Sequence, residues 1–186
     1  MLLLSVFLFV ALFFSFLCSI AEAVLLSVSW VHIVKLENEG KTSGKILRRL
    51  KQDINQPLAA ILTLNTIAHT VGAAGVGAQA SIVFGDASLG IVSAILTFLI
   101  LVFSEIIPKT LGASHWRVLA PITAHSLKLL VWLLYPLIKM SEFITRRLVK
   151  KESGKGFDRN DFTVMAQLSA QSGKIDPQEA LILENL

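Results

Sequence analysis

"ILTFLILVFSEIIPKTLGA" (95–113) begins as a run that lipid would accept and ends in a serine, a glutamate, a proline and a lysine. A soluble helix puts its charges on a wet face. No polar face precedes Ser104 in this run, so Glu105 needs partners from other segments. The rest of the chain repeats the pattern. Apolar residues make up 54% of it and charged residues 16%, with a mean hydropathy of +0.68. They fall in long blocks, at 2–34, 57–84, 89–107 and 118–138. A bilayer core of about 30 Å takes roughly 20 apolar residues of helix to cross. The expected fold class is therefore an all-α integral membrane protein with the lipid bilayer as its solvent.

Charge sets the expected topology. The segments 35–51 and 139–155 hold six Lys/Arg each, whereas the loop at 85–88 carries only Asp86. Basic segments stay on the cytoplasmic side, so the N-terminus is expected outside and both basic segments inside. Four full crossings would put 139–155 on the wrong side. The reading that fits is three transmembrane helices plus a re-entrant or bent helical hairpin in 118–138, with its turn near "LGASHWR" (111–117) and Pro121. Any non-helical backbone there must be buried in protein or line water.

Other classes are excluded. The net charge of +4 comes from basic residues flanking apolar blocks, without the exposed aromatics of a nucleic-acid surface. "GVGAQA" (75–80) resembles a dinucleotide loop only loosely, with no βαβ context. No HExxH or GxSxG occurs, so no enzyme is expected. The block at 2–34 lacks a basic start and a cleavage motif, and reads as a retained span. Cys18 stands alone. Ala68/Gly72 and Ala73/Gly77 are small pairs four apart, suited to close helix packing within or between subunits.

Ionisable groups inside spans are costly and mark sites. Two carboxylates qualify, Glu22 and Glu105, in the polar company of Ser19, Ser27, Ser29, Asn65 and Ser104. Depths counted at about 1.5 Å per residue put Glu22 about 18 Å in from Val34, Asn65 about 12 Å from Pro57, and Glu105 about 10 Å from Gly112. Three blocks thus bring oxygen atoms to one zone. Pro108 lacks an N–H, so the Ser104 carbonyl loses its α-helical donor. A dehydrated cation would satisfy that carbonyl, and oxygen ligands suit Mg²⁺ or Na⁺. Plainer readings stand beside this one: a protonated Glu22, serines bonded to their own helix, Pro108 as a kink, Lys109 reaching for the interface. His32, His69, His115 and His125 are read as packing or interface residues.

"SIAEAVLLSVS" (19–29), "LTLNTIAHT" (62–70) and "FSEIIPKTLGA" (103–113) resemble the transmembrane domain of the CNNM/CorC family of magnesium transporters. The last stretch carries the glutamate-x-x-proline-lysine signature. The resemblance implies a homodimer in the plasma membrane holding a dehydrated Mg²⁺ among its helices and suggests Na⁺ as the coupling ion, where the sequence alone leaves Na⁺ and H⁺ open. It favours Ser19, Glu22, Asn65, Ser104 and Glu105 as metal ligands, and Pro108, Lys109 and Gly112 are expected to be structural or gating residues. The family often has glycine where Ser104 stands and asparagine where Ser29 stands. The expected function is Mg²⁺ export coupled to Na⁺ entry, and the alternative is a sensor that binds Mg²⁺ without moving it. Residues 1–149 are expected to form the membrane domain. Residues 150–186 are expected to be a linker and cytosolic helices, cut before a CBS-pair domain, so no nucleotide is expected in this fragment.

Overall fold

The computed structural model describes residues 1–140, all within one compact unit, Met1–Glu142. The expected boundary at 149/150 and the tail helices lie outside the described residues. Among the described residues, three helical stretches are long and apolar enough to cross a membrane: Leu2–Ser27, Asn55–Phe84 and Asp86–Ser114. At 1.5 Å per residue, even the shortest of them exceeds a 30 Å hydrocarbon core. Large apolar side chains such as Phe9, Ile91, Phe98 and Leu62 stay exposed on them. In lipid that exposure costs nothing.

The first span, α1 (Leu2–Ser27), stops sooner than its hydropathy predicts. The expected single block 2–34 is split. Val28 is extended (φ −62°, ψ 124°), and the Ser29 side chain accepts the His32 N–H at 3.3 Å. A serine N-cap of this kind starts a new helix at the cost of continuing the old one. That helix, α2 (Trp30–Asn38), turns at Gly40 (φ 73°) into α3 (Thr42–Gln52). The pair forms a tight hairpin. A Cβ on Gly44 would lie 2.8 Å from the Glu37 backbone nitrogen, and Arg48 grips the Glu37 carboxylate through Nε at 2.8 and 2.9 Å. Lys51 donates to the Val28 carbonyl at the broken end of α1. The basic segment is thus a folded element rather than a loose loop.

The second span, α4 (Asn55–Phe84), carries Pro57 in its first turn, where a missing N–H costs nothing. Gly85 (φ 80°) ends it, and Asp86–Ser88 makes a short 3₁₀ turn. The third span is composite: α5 (Leu89–Leu99), a π-helical segment (Ile100–Ile106) and α6 (Ile107–Ser114). The chain turns at His115 into α7 (Trp116–Leu133), which contains Pro121. The fourth apolar block therefore adds no fourth candidate span. It takes the bent form. Its helix is interrupted at Leu134 and resumes over 135–140.

The core forms where α1 meets the other elements. Val24 and Val28 pack with Ile33, Leu36 and Leu47 of the hairpin and with Ala120 and Ala124 of α7. Cys18 and Leu25 join Ile61 of α4 and Leu127 of α7. The hairpin and α7 are thereby tied to one end of the three-span bundle.

A polar layer between the spans

The register between α1 and α4 comes from three contacts. A side chain on Gly75 would strike the Phe7 ring, one on Gly72 would strike Ala11, and Ser15 Oγ lies 2.6 Å from His69 Nε2. Residue numbers rise along α1 as they fall along α4, so the two helices are antiparallel. One turn beyond the Ser15–His69 pair, the same register puts Ser19 opposite Asn65. Ser19 Oγ and Asn65 Oδ1 are both buried and have no hydrogen-bond partner. Unsatisfied oxygens on two neighbouring helices inside a membrane domain are expensive unless something binds there. The Ala68/Gly72 pair is thus used for packing within the subunit. A Cβ on Gly77 would meet nothing within 4 Å, so this face of α4 is open.

The third span runs parallel to α1. Ser104, fully buried, donates to the Leu12 carbonyl at 3.2 Å. Two turns on, Gly112 lies against Ile20 and Ala23, so close that a Cβ would sit 2.9 Å from both the Ile20 carbonyl oxygen and the Ala23 methyl. This close approach brings Glu22 to the third span. Lys109 Nζ lies 3.4 Å from Glu22 Oε2 and 3.3 Å from Glu105 Oε2. One ammonium bridges the two carboxylates.

Of the expected site residues, Glu22 and Glu105 meet across Lys109, and the α1–α4 register pairs Ser19 with Asn65. Ser104 faces the backbone of α1. The depth count for Glu22 changes. Because α1 ends at Ser27, Glu22 lies five residues, about 8 Å, from the helix end rather than about 18 Å. Asn65 lies ten residues, about 15 Å, from the start of α4. Among the described residues, no three His, Cys, Asp or Glu side chains are grouped to hold a metal. Any cation here would rely on hydroxyl, amide and backbone oxygens beside the two carboxylates.

The surroundings of Pro108 differ from a simple bend. From Ile100 to Ile106 the helix is widened to π spacing, and its last bond runs from the Ile107 N–H to the Val102 carbonyl. The next donor in line is Pro108, which has none, so the wide register ends there. At π spacing the carbonyl opposite Pro108 is that of Phe103, while Ser104 loses only its α-spaced partner. Segments of this kind are rare and recur at functional sites.

Lys109 is the group that sequence reasoning underrated. Its spacing of four from Glu105 was a visible signal, but its second partner lies on another helix. The Ser15–His69 contact was missed altogether, since neither residue is unusual for its own helix.

The chain matches the family profile described as the cyclin M (CNNM) transmembrane N-terminal domain over residues 6–179. A UPF0053 protein of Synechocystis is 33% identical over 178 residues, 96% of this chain and 51% of the relative. A UPF0053 protein of Haemophilus influenzae is 30% identical, covering 79% of this chain and 35% of the relative. The inner membrane protein YfjD of Escherichia coli is 25% identical, covering 81% and 34%. The chain spans about half the length of the first relative and about a third of the others.

Proposed function

The chain belongs to the CNNM family of membrane domains, linked to divalent-cation transport, and on that premise we propose that it exports Mg²⁺ in exchange for Na⁺. The observation that carries this reading is the Glu22–Lys109–Glu105 bridge. Two partly exposed carboxylates face one position, and a tethered monovalent cation occupies it. Lys109 offsets one of their two negative charges. A divalent ion offsets both, and Mg²⁺ prefers oxygen ligands of this kind. The unpartnered Ser19 and Asn65 oxygens on the neighbouring register supply neutral ligands, with Ser104 on the third span beside Glu105.

Binding would displace the Lys109 ammonium by like-charge repulsion, and departure of the ion would let it return. The site then never holds two bare carboxylates, which is what an alternating carrier needs between cargo ions. In this reading the protein is a homodimer of the plasma membrane, with the Asp86 turn outside and the α2–α3 hairpin in the cytoplasm. A sensor would bind Mg²⁺ through the same groups and move none.

Glu105→Gln tests the reading. It keeps the shape of the side chain and removes a charge needed only by cations. Mg²⁺ efflux from proteoliposomes should fall at least tenfold while the protein elutes as the wild type does. Wild-type efflux in this variant would overturn the assignment. Mg²⁺ binding without flux in the wild type would identify the sensor.

A further inference from the structure

The α2–α3 hairpin carries six basic residues, and four of them are engaged within the fold. Lys35 and Lys41 pair with Glu39, Arg48 pairs with Glu37, and Lys51 donates to the Val28 carbonyl. Lys45 and Arg49 have no hydrogen bond or ion pair among the described residues. They lie four apart on one face of α3. Both line the same cavity, about 300 Å³, which α3 shares with Lys128 of α7. Lys128 is likewise exposed and unpaired among the described residues. Thr42 adds a hydroxyl, and Ile46 and Leu50 give an apolar wall. Glu37, whose carboxylate also feels the Lys45 charge, is hydrogen-bonded to Arg48.

Three cations around one cavity, none of them in an ion pair among the described residues, call for an anion, and the apolar wall calls for a hydrocarbon attached to it. Next to Lys128, Leu129, Trp132 and Leu133 of α7 are 63%, 73% and 64% exposed. A helix with such a face beside basic groups belongs at a membrane surface. The volume lies at the lower end of small-molecule sites, suited to a headgroup. We propose that Lys45, Arg49 and Lys128 bind the phosphodiester of an anionic phospholipid, with its acyl chains along Ile46, Leu50 and the exposed face of α7. Such a lipid would clamp the hairpin to α7 at the end of the bundle where α1 stops. The proposal is independent of whether the protein transports or senses Mg²⁺.

The test is nondenaturing mass spectrometry of the purified chain in detergent, titrated with phosphatidylglycerol or phosphatidylcholine. The wild type should retain one phosphatidylglycerol at least tenfold more strongly than phosphatidylcholine. Each removed cation should weaken binding about fivefold, so K45Q/R49Q/K128Q should lose roughly a hundredfold. All three residues are exposed, so this variant should fold, and K128Q alone should show the fivefold step. The charge-matched control K35Q/K41Q/R117Q should bind as the wild type does. Equal loss in the two triple variants would mean diffuse attraction and would overturn the site. Displacement of phosphatidylglycerol by millimolar inorganic phosphate would assign the pocket to a soluble anion and overturn the lipid.

Discussion

Lys109 decides how the two intramembrane carboxylates coexist. Its ammonium lies 3.4 Å from Glu22 and 3.3 Å from Glu105. A cation arriving from water must therefore compete with a tethered ammonium. Lys109→Gln removes the competitor. Mg²⁺ affinity should rise about tenfold, equivalent to roughly 1.4 kcal/mol, and the Mg²⁺-free protein should lose thermal stability. Calorimetry and a melting curve check both signs. Unchanged affinity would make Lys109 a bystander. In the sequence, Glu105 and Lys109 were readable as an i,i+4 pair, but nothing local links Lys109 to Glu22.

Two elements set the site's geometry. The first is the packing of α6 on α1 at Gly112, where there is no room for a side chain. Gly112→Val should push α6 away, separate Lys109 from Glu22, and cost about 1–3 kcal/mol of stability, typical of overpacking. A weaker Mg²⁺ signal together with a lowered melting temperature is the expected pair of results. Gly77→Ala, on the open face of α4, is the control and should change neither. The second element is the hairpin. Arg48, hydrogen-bonded to Glu37, holds that carboxyl below its usual value of 4.5. A carboxyl lowered in the folded state adds stability that is fully present above its unfolded pKa and fades as pH falls through the folded value. The protection factors of the α2 and α3 amides, each referenced to the unstructured chain at the same pH, should therefore fall below pH 4.5. Glu37→Gln should flatten that dependence. If both proteins respond alike, the pair does not hold the hairpin.

At the scale of the whole molecule, the three spans, the polar layer and the basic end follow one arrangement. Spans of alternating direction put the Gly85 turn at one end and the hairpin at the other. α7 leaves the bundle at the hairpin end and, at 18 residues, is not apolar enough to count as a crossing helix. In intact cells, cysteines at Gly85 and Lys41 should label from opposite faces, and a cysteine at Lys151 should behave like the one at Lys41. Labelling of Lys151 from the face of Gly85 would mean a fourth crossing and would refute the topology.

Composition and block length by themselves determined that this chain is a helical membrane protein, because a bilayer sets one length scale for every crossing segment, and the placement of its basic residues reduced four apolar blocks to three expected spans. The same local logic marked Glu22, Asn65 and Glu105 as odd groups in apolar surroundings. The break at Val28–Ser29 was beyond that logic, since hydropathy cannot register a serine capping a new helix inside an apolar run. Nor could it show the π widening before Pro108, which depends on how the third span fits against α1. Only the tertiary structure decided that Lys109 stands between two carboxylates, that the α1–α4 register brings Ser19 and Asn65 to one level, and that Lys45 and Arg49 line one cavity with Lys128. Each of these relations joins residues on different helices, and helix register is set by packing at positions such as Gly72 and Gly112 that leave no mark in charge or hydropathy.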